Sequence, residues 1–217
     1  MQVKTKRITE SAMLIAVAIV LELLSKLFIP EQAFGGQITV VSMLPIVLIS
    51  YRHGMKWGLV ASFTYALLEM ALGAKTVGAA FLPGFFGDGA MIGNAILMCL
   101  LDYILAYTLL ALGGLFRDRI AHPGISLMCG SLVALLARFA AHILSGYILF
   151  SGWAEWYFTQ EGFPAWGAEL VAAVSPGALG WIYSAVYNGM YMVPEILFTA
   201  LASLIIARVP KIVTKVS

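Results

Sequence analysis

The sequence predicts an all-α membrane protein: a single domain over residues 1–217, folded as a bundle of six transmembrane helices with both termini cytoplasmic. Three observations predict it. Of the 217 residues, 61% are hydrophobic and 11% are charged, whereas a soluble domain carries about 25% charge. Mean hydropathy is +0.93. Apolar runs that approach or exceed the roughly 20 residues needed to cross a bilayer recur along the chain, only the second being short. Six such runs put both termini on one side. Lys4, Lys6, Arg7, Arg52, Lys56, Arg117, Arg119, Arg208, Lys211 and Lys215, ten of the 13 basic residues, fall on that same side. An excess of Lys and Arg marks the cytoplasmic side.

Taken in order, Met1 to Glu10 is a short basic segment. The apolar run 11–29 has the basic flank of a signal peptide. It is long for such a core, contains Glu22 and ends at Pro30-Glu31-Gln32 without a small-x-small cleavage site, so it reads as a retained first helix. Ala12 and Ala16 lie one turn apart on it, a small-xxx-small face that lets another backbone approach closely. Gly35-Gly36-Gln37 punctuates a turn before the second run, 38–50, where Pro45 predicts a kinked or tilted helix. A tight basic loop, 51–56, leads to the third span, 57–72, with Glu69 near its end. Residues 73–89 form a glycine-rich connection holding Phe81, Phe85, Phe86 and Asp88. The fourth span, 90–116, holds Asp102-Tyr103. After the basic loop 117–124, the fifth span, 125–150, holds Arg138 and His142. A long loop, 151–177, carries Trp153, Trp156 and Trp166, aromatic residues of the kind that anchor proteins at the membrane interface. The sixth span, 178–207, and a basic tail close the chain. Cys99 and Cys129 lie inside apolar runs and read as packing residues, with no disulfide framework and no metal set.

The chemistry concentrates in the last three spans. Tyr183, Tyr187, Tyr191 and Glu195 recur every four residues and form one polar-tipped stripe on a helix, with Asn188 on a neighbouring face. Such a stripe is expensive against lipid, so it faces protein, water or a ligand. At about 1.5 Å per residue from the outer ends, His142 lies about 12 Å deep, Asn188 about 15 Å, and Asp102 and Arg138 about 18 Å. Those four are placed to meet in the outer half of the membrane, with Tyr183 and Phe150 above them. Gly146, on the face shared by His142 and Phe150, leaves room for something flat. The pattern suits a pocket open to the outside for a small, flat, nitrogen-rich cation: the carboxylate offsets its charge, rings stack on aromatic faces, and His, Asn and Tyr tips read its heteroatoms. The competing readings are an Asp102–Arg138 ion pair, a helix-packing hydrogen bond for His142 and, for Glu195, a deeper structural contact or one on the side of a partner component. Glu22 and Glu69 have no evident partner in the sequence.

No G-x-x-x-x-G-K-[ST], H-E-x-x-H or G-x-S-x-G is present, so the chain has no P-loop for ATP, no such metalloprotease site and no such serine nucleophile. Six helices without an evident internal repeat are few for a self-sufficient secondary transporter, so uptake through this chain calls for a gradient or an energised partner.

Four stretches in this order carry a resemblance: Gly35-Gly36-Gln37-Ile38-Thr39 with Met43-Leu44-Pro45-Ile46; Leu101-Asp102-Tyr103-Ile104-Leu105-Ala106-Tyr107; Arg138 to Gly146; and Tyr183 to Pro194. Together they resemble the thiamin-specific substrate-binding (S) component of energy-coupling factor transporters. The resemblance implies a six-helix bundle that captures thiamin from outside, a transmembrane T component and two cytoplasmic ATPases as partners, and no cofactor, no catalysis and no nucleic acid. It implies ligand contacts at Asp102, Tyr103, His142, Phe150, Tyr183 and Asn188, with Phe34 nearest to the gating aromatic of the first outer loop. Ala12 and Ala16 match the alanine motif that docks S components on the T component. The connections 73–89 and 151–177 are longer than the family pattern. The readings held against it are an S component for another heterocyclic vitamin or a thiamin precursor, an intramembrane enzyme using His142 and Asp102, and a purely structural membrane subunit.

Overall fold

In the computed structural model, residues 2–32, 35–87 and 91–216 are described, and helices account for nearly all of their regular structure. Helix α1, Gln2–Phe28, begins well before the apolar run, because the basic segment continues the same helix. Helix α2, Leu44–His53, is shorter than the run 38–50 and displaced along it. Pro45 stands in its first turn, where the missing N–H has no intrahelical role. The proline therefore starts the helix and does not kink it. All ten residues of α2 are buried. At about 1.5 Å each they rise only about 15 Å, half the hydrocarbon thickness.

Helix α3, Met55–Leu72, follows directly after Gly54, whose φ of 90° makes the reversal. Helix α4, Ala74–Ala80, is bent from α3 by 73° and occupies part of the connection read as a glycine-rich loop. The next helical run changes winding along its length: α5, Met91–Met98, then a π-helical stretch, Cys99–Leu105, then α6, Ala106–Thr108, and a 3₁₀ segment, Leu109–Gly114. Helix α7 is Pro123–Phe150, capped by His122, whose Nδ1 accepts from the Ile125 N–H. The long loop that follows is itself mostly helical: a 3₁₀ turn, Ser151–Trp153, then α8, Ala154–Thr159, and α9, Trp166–Ala173. Helix α10, Pro176–Ile206, and the short α11, Pro210–Val213, complete the chain.

Among the described residues, four stretches are long and apolar enough to cross a membrane, and the bent pair α3–α4 makes a fifth. The sixth expected span, α2, is too short to count by itself. The protein is thus a multi-helix membrane bundle with a short helix buried at its centre.

Lipid is as apolar as a leucine side chain, so helices here associate through close packing and interhelical hydrogen bonds. A Cβ at Gly130 would lie 2.1 Å from the Gly113 carbonyl oxygen, so only glycine lets α7 touch the 3₁₀ segment there. Ser50 in α2 donates to the Ala111 carbonyl and accepts from the Gly114 N–H at 3.1 Å. Ser131 and Ser203 join α7 to α10 at 2.9 Å. One apolar core surrounds α2, with Ile46, Val47, Ile49, Tyr65, Leu127 and Met192 fully buried. A second lies toward the other end, around Ala95, Met98, Phe150, Phe158 and Tyr183.

The basic segments converge at the end opposite that second core. Arg52 Nη1 donates to the Lys211 and Ile212 carbonyls and its Nη2 to Glu10 at 2.9 Å. Arg7 donates to the Val216 carbonyl and Lys215 to Asp118.

Candidate ligand-binding cavity

A cavity of about 130 Å³ lies where the two cores meet, and residues of both line it. Asp102 and Tyr103 reach it from the π-helical stretch. A π-bulge shifts the side-chain register within an otherwise α-helical run and is frequent at functional sites. The Asp102 carboxylate is held on both oxygens: His142 Nδ1 lies 2.8 Å from Oδ1, and Ser145 Oγ donates to Oδ2 at 2.5 Å. His142 and Ser145 come from α7, 40 and 43 residues away. With Nδ1 turned to the carboxylate, His142 keeps a buried Nε2 that has no hydrogen-bond partner among the described residues, in a side chain that lines the cavity.

Arg138, one turn before His142, does not pair with Asp102. Its guanidinium carbon sits 4.2 Å over the Tyr107 ring. The Asp102–Arg138 ion pair is therefore replaced by the Asp102–His142–Ser145 group, and Arg138 is stabilised by an aromatic face.

From α10 come Tyr183, Tyr187, Asn188 and Tyr191, all buried and all on the cavity wall. Asn188 is fixed at both ends of its amide. Its Nδ2 donates to the Ser184 carbonyl at 2.8 Å and the His142 carbonyl at 3.2 Å, and its Oδ1 accepts from Tyr191 at 2.6 Å. The stripe's last member, Glu195, lies beyond the cavity wall, accepting from the Thr39 N–H at 3.1 Å, the Thr39 hydroxyl at 3.0 Å and Thr199 at 3.3 Å. Its contact is structural, one of the two readings open from the sequence.

The stripe also holds the segment 35–39, which closes one side of the cavity. Tyr187 donates to the Gly35 carbonyl at 3.0 Å. Gly36 has φ of 91°, and a Cβ there would lie 2.5 Å from the Tyr191 ring. Both the backbone and the space at Gly36 thus require glycine. Gly146 has a second job beside the one expected. A Cβ there would meet Ser184 Oγ at 2.2 Å, so this glycine lets α7 and α10 touch, and it also lines the cavity.

At the end away from the basic segments, Phe150 packs against Phe86 at 5.3 Å and Phe85 at 5.9 Å, and the Trp153 indole donates to the Phe85 carbonyl. The two long connections therefore meet over Phe150. Tyr157 of α8 packs on Tyr183 at 5.2 Å and Tyr187 at 5.9 Å. Trp156 and Trp166 remain about half exposed. Phe34 lies outside the described residues. Ala12 and Ala16 are far from this wall, on the exposed face of α1.

Sequence reasoning missed part of the lining. Glu22, Lys26, Gln37, Thr39, Glu69 and Tyr107 also face the cavity. The signal was present for Glu22 and Glu69, ionisable residues inside apolar runs; Lys26 stands one turn from Glu22 on α1, but the Tyr65 contact that brings α1 and α3 together crosses between helices. Among the described residues no group of three or more His, Cys, Asp or Glu side chains is placed to hold a metal ion, and Cys99 and Cys129 are free thiols.

A helical membrane bundle with an internal cavity, mixed aromatic and polar walls and a tethered carboxylate defines a membrane protein suited to hold a small polar ligand. The chain belongs to the thiamine transporter protein family (Thia_YuaJ), whose model matches residues 8–167; this is a family of transporters, not of enzymes. It is 28% identical over 204 residues to the thiamine transporter ThiT of Bacillus subtilis (strain 168), covering 90% of this chain and 86% of that one. Its fold is similar to a solved structure of ThiT from Listeria monocytogenes, with a TM-score of 0.65 and 19% identity over 97% of this chain and 98% of the other.

Proposed function

We propose that this chain is the thiamin-capturing S component of an energy-coupling factor transporter, a single domain that takes thiamin from outside the cell. The observation that carries the reading is the Asp102–His142–Ser145 group facing Asn188 and Tyr191 across an aromatic-walled cavity. Asp102 offsets the fixed thiazolium charge. His142, Asn188, Tyr103 and Tyr183 supply hydrogen-bonding tips and ring faces for the heterocycles, Phe150 covers them from the outer end, and Phe34 has the part of the gating aromatic of the first outer loop. The energy for release inward comes from a T component and two cytoplasmic ATPases, docked on the α1 face that carries Ala12 and Ala16.

In this reading the bundle has six membrane segments, α2 being a short one shielded from lipid by its neighbours, and both termini are cytoplasmic. The clustering of Arg7, Arg52, Lys211 and Lys215 at one end supports that orientation. Purified protein, without any ATPase, is expected to bind labelled thiamin directly and saturably at one site per chain. Absence of binding under conditions where the protein is folded would refute the reading.

A further inference from the structure

Glu22, Glu31, Glu69 and Asp102 all line the cavity. Three of them have donors. Asp102 is engaged on both oxygens by His142 and Ser145. Glu22 Oε1 meets Lys26 Nζ at 2.6 Å, and its Oε2 accepts from the Tyr65 hydroxyl at 3.4 Å. Glu31 Oε1 accepts from Thr76 at 3.3 Å. Glu69 also adjoins Tyr65 but keeps one oxygen open. It is only 3% exposed, and its Oε1 is buried with no hydrogen-bond partner among the described residues. Its carboxyl adjoins that of Glu22, which Lys26 and Tyr65 hold in place. Native folds leave few buried acceptors unpaired, and one left open on a cavity wall is where a ligand donor belongs.

We propose that Glu69 is a specificity-determining residue of the cavity, its Oε1 accepting a hydrogen bond from an N–H or O–H donor of the bound cation. The proposal rests on the thiamin reading above. Thiamin has two such donors, the amino group of its pyrimidine and the hydroxyl of its side arm. Asp102, already holding two protein donors, acts on the ligand through its charge. Glu69 acts as the acceptor that a ligand lacking the matching donor leaves unsatisfied, which is how a polar site rejects near-isosteres. Glu22 and Lys26 position it.

The test compares thiamin with two analogues, one with hydrogen in place of the pyrimidine amino group and one with hydrogen in place of the hydroxyl. Each is titrated against the parent protein, Glu69→Met, which removes the acceptor at similar length, and Glu69→Gln, which keeps a carbonyl oxygen. The methionine variant is expected to bind thiamin about tenfold to a hundredfold more weakly. One of the two analogues is expected to lose that difference, which identifies the donor, and the glutamine variant is expected to recover most of the thiamin affinity. A methionine variant that binds thiamin like the parent, or that weakens all three ligands equally, overturns the proposal. If that variant does not fold, Glu69→Ala is read in the same way. A parent that binds no thiamin refutes the thiamin reading and this proposal with it, whereas a binding parent without the analogue difference refutes only the role of Glu69.

Discussion

Helices α1 and α10 are both long and apolar, 27 and 31 residues, yet the bundle uses them in opposite ways. α10 buries a continuous polar face, Tyr183, Ser184, Tyr187, Asn188, Tyr191, Glu195, Thr199 and Ser203. Its tips are bonded to α7, to the 35–39 segment or to one another. α1 buries only Ser11, Ala18, Glu22 and Ser25 among its described side chains. Ile8, Met13, Val17, Val20, Leu23 and Leu27 point outward with Ala12 and Ala16 between them. A hydrogen-bonding tip in an apolar medium has to be satisfied, so the polar helix is fixed by its partners. A helix whose outer face is apolar and small has no such obligation and can exchange lipid for another helix. The proposed docking surface therefore lies on the exposed face of α1, while Glu22 and Lys26 on its other face join α10 in lining the cavity, so the two faces can be altered separately.

The largest effect that separates them concerns α1. Ala12→Trp or Ala16→Trp puts a large ring on the face that a partner helix would approach closely. Thiamin binding to the isolated chain is expected to be unchanged, and ATP-driven uptake in cells or reconstituted vesicles to be abolished. Weakened binding in the isolated variant would mean that this face belongs to the folded core, and the division between the two helices would fail.

Next in size is the charge facing α10. Asp102→Asn keeps the shape of the side chain, and Ser145 can reverse its hydroxyl to accept from the new amide. The fold is expected to survive, because the buried Arg138 rests on Tyr107 and does not depend on this carboxylate. Thiamin affinity is expected to fall by roughly 2–5 kcal/mol, the range for truncating one member of a buried charge pair. A neutral analogue of thiamin should bind the variant and the parent almost equally. If the analogue discriminates as strongly as thiamin does, Asp102 is not reading the cation.

The same contrast shows what could be read from the chain. The long apolar helices, the meeting of Asp102, His142 and Asn188, and the every-fourth-residue stripe of α10 were legible, because periodicity and rise per residue are local properties. Three things were not. The π-helical winding around Asp102 depends on packing and has no signature in Cys99–Leu105. The close contacts at Gly146 and Gly130 depend on which helix lies opposite, so the helix contact that Gly146 makes beside the cavity had no signal in the sequence. Partners of Asp102, and one of the two partners of Glu22, come from elements 40 or more residues away, Tyr65 lying 43 residues from Glu22. Arg138 looked like the natural partner for Asp102 by depth alone. Depth fixes the height of a residue in the bundle and says nothing of its direction around the helix axis.

The smallest effect tests how α1 and α10 share the segment that closes the cavity. Tyr187 of α10 holds the Gly35 carbonyl at 3.0 Å, and Ser25 of α1 accepts from the Val40 N–H at 2.9 Å. The segment is thus pinned near both ends, once by each helix. Tyr187→Phe removes the hydroxyl and keeps the ring, which also packs against Tyr183 at 5.7 Å and Tyr157 at 5.9 Å. One neutral hydrogen bond is worth about 0.5–1.5 kcal/mol net. The bundle, held by many such bonds elsewhere on α10, should unfold at nearly the same temperature. The segment 35–39 should open more often, so thiamin should leave roughly threefold to tenfold faster, the kinetic equivalent of that energy. Ser25→Ala removes the other pin and should act in the same direction. The measurement is the dissociation rate of labelled thiamin from the parent and the two variants, beside their thermal unfolding. An unchanged rate in both variants would mean that the segment stays shut without these bonds. A large loss of thermal stability with Tyr187→Phe alone would mean that α10 holds the bundle through this hydroxyl, and that the cavity wall and the fold cannot be separated there.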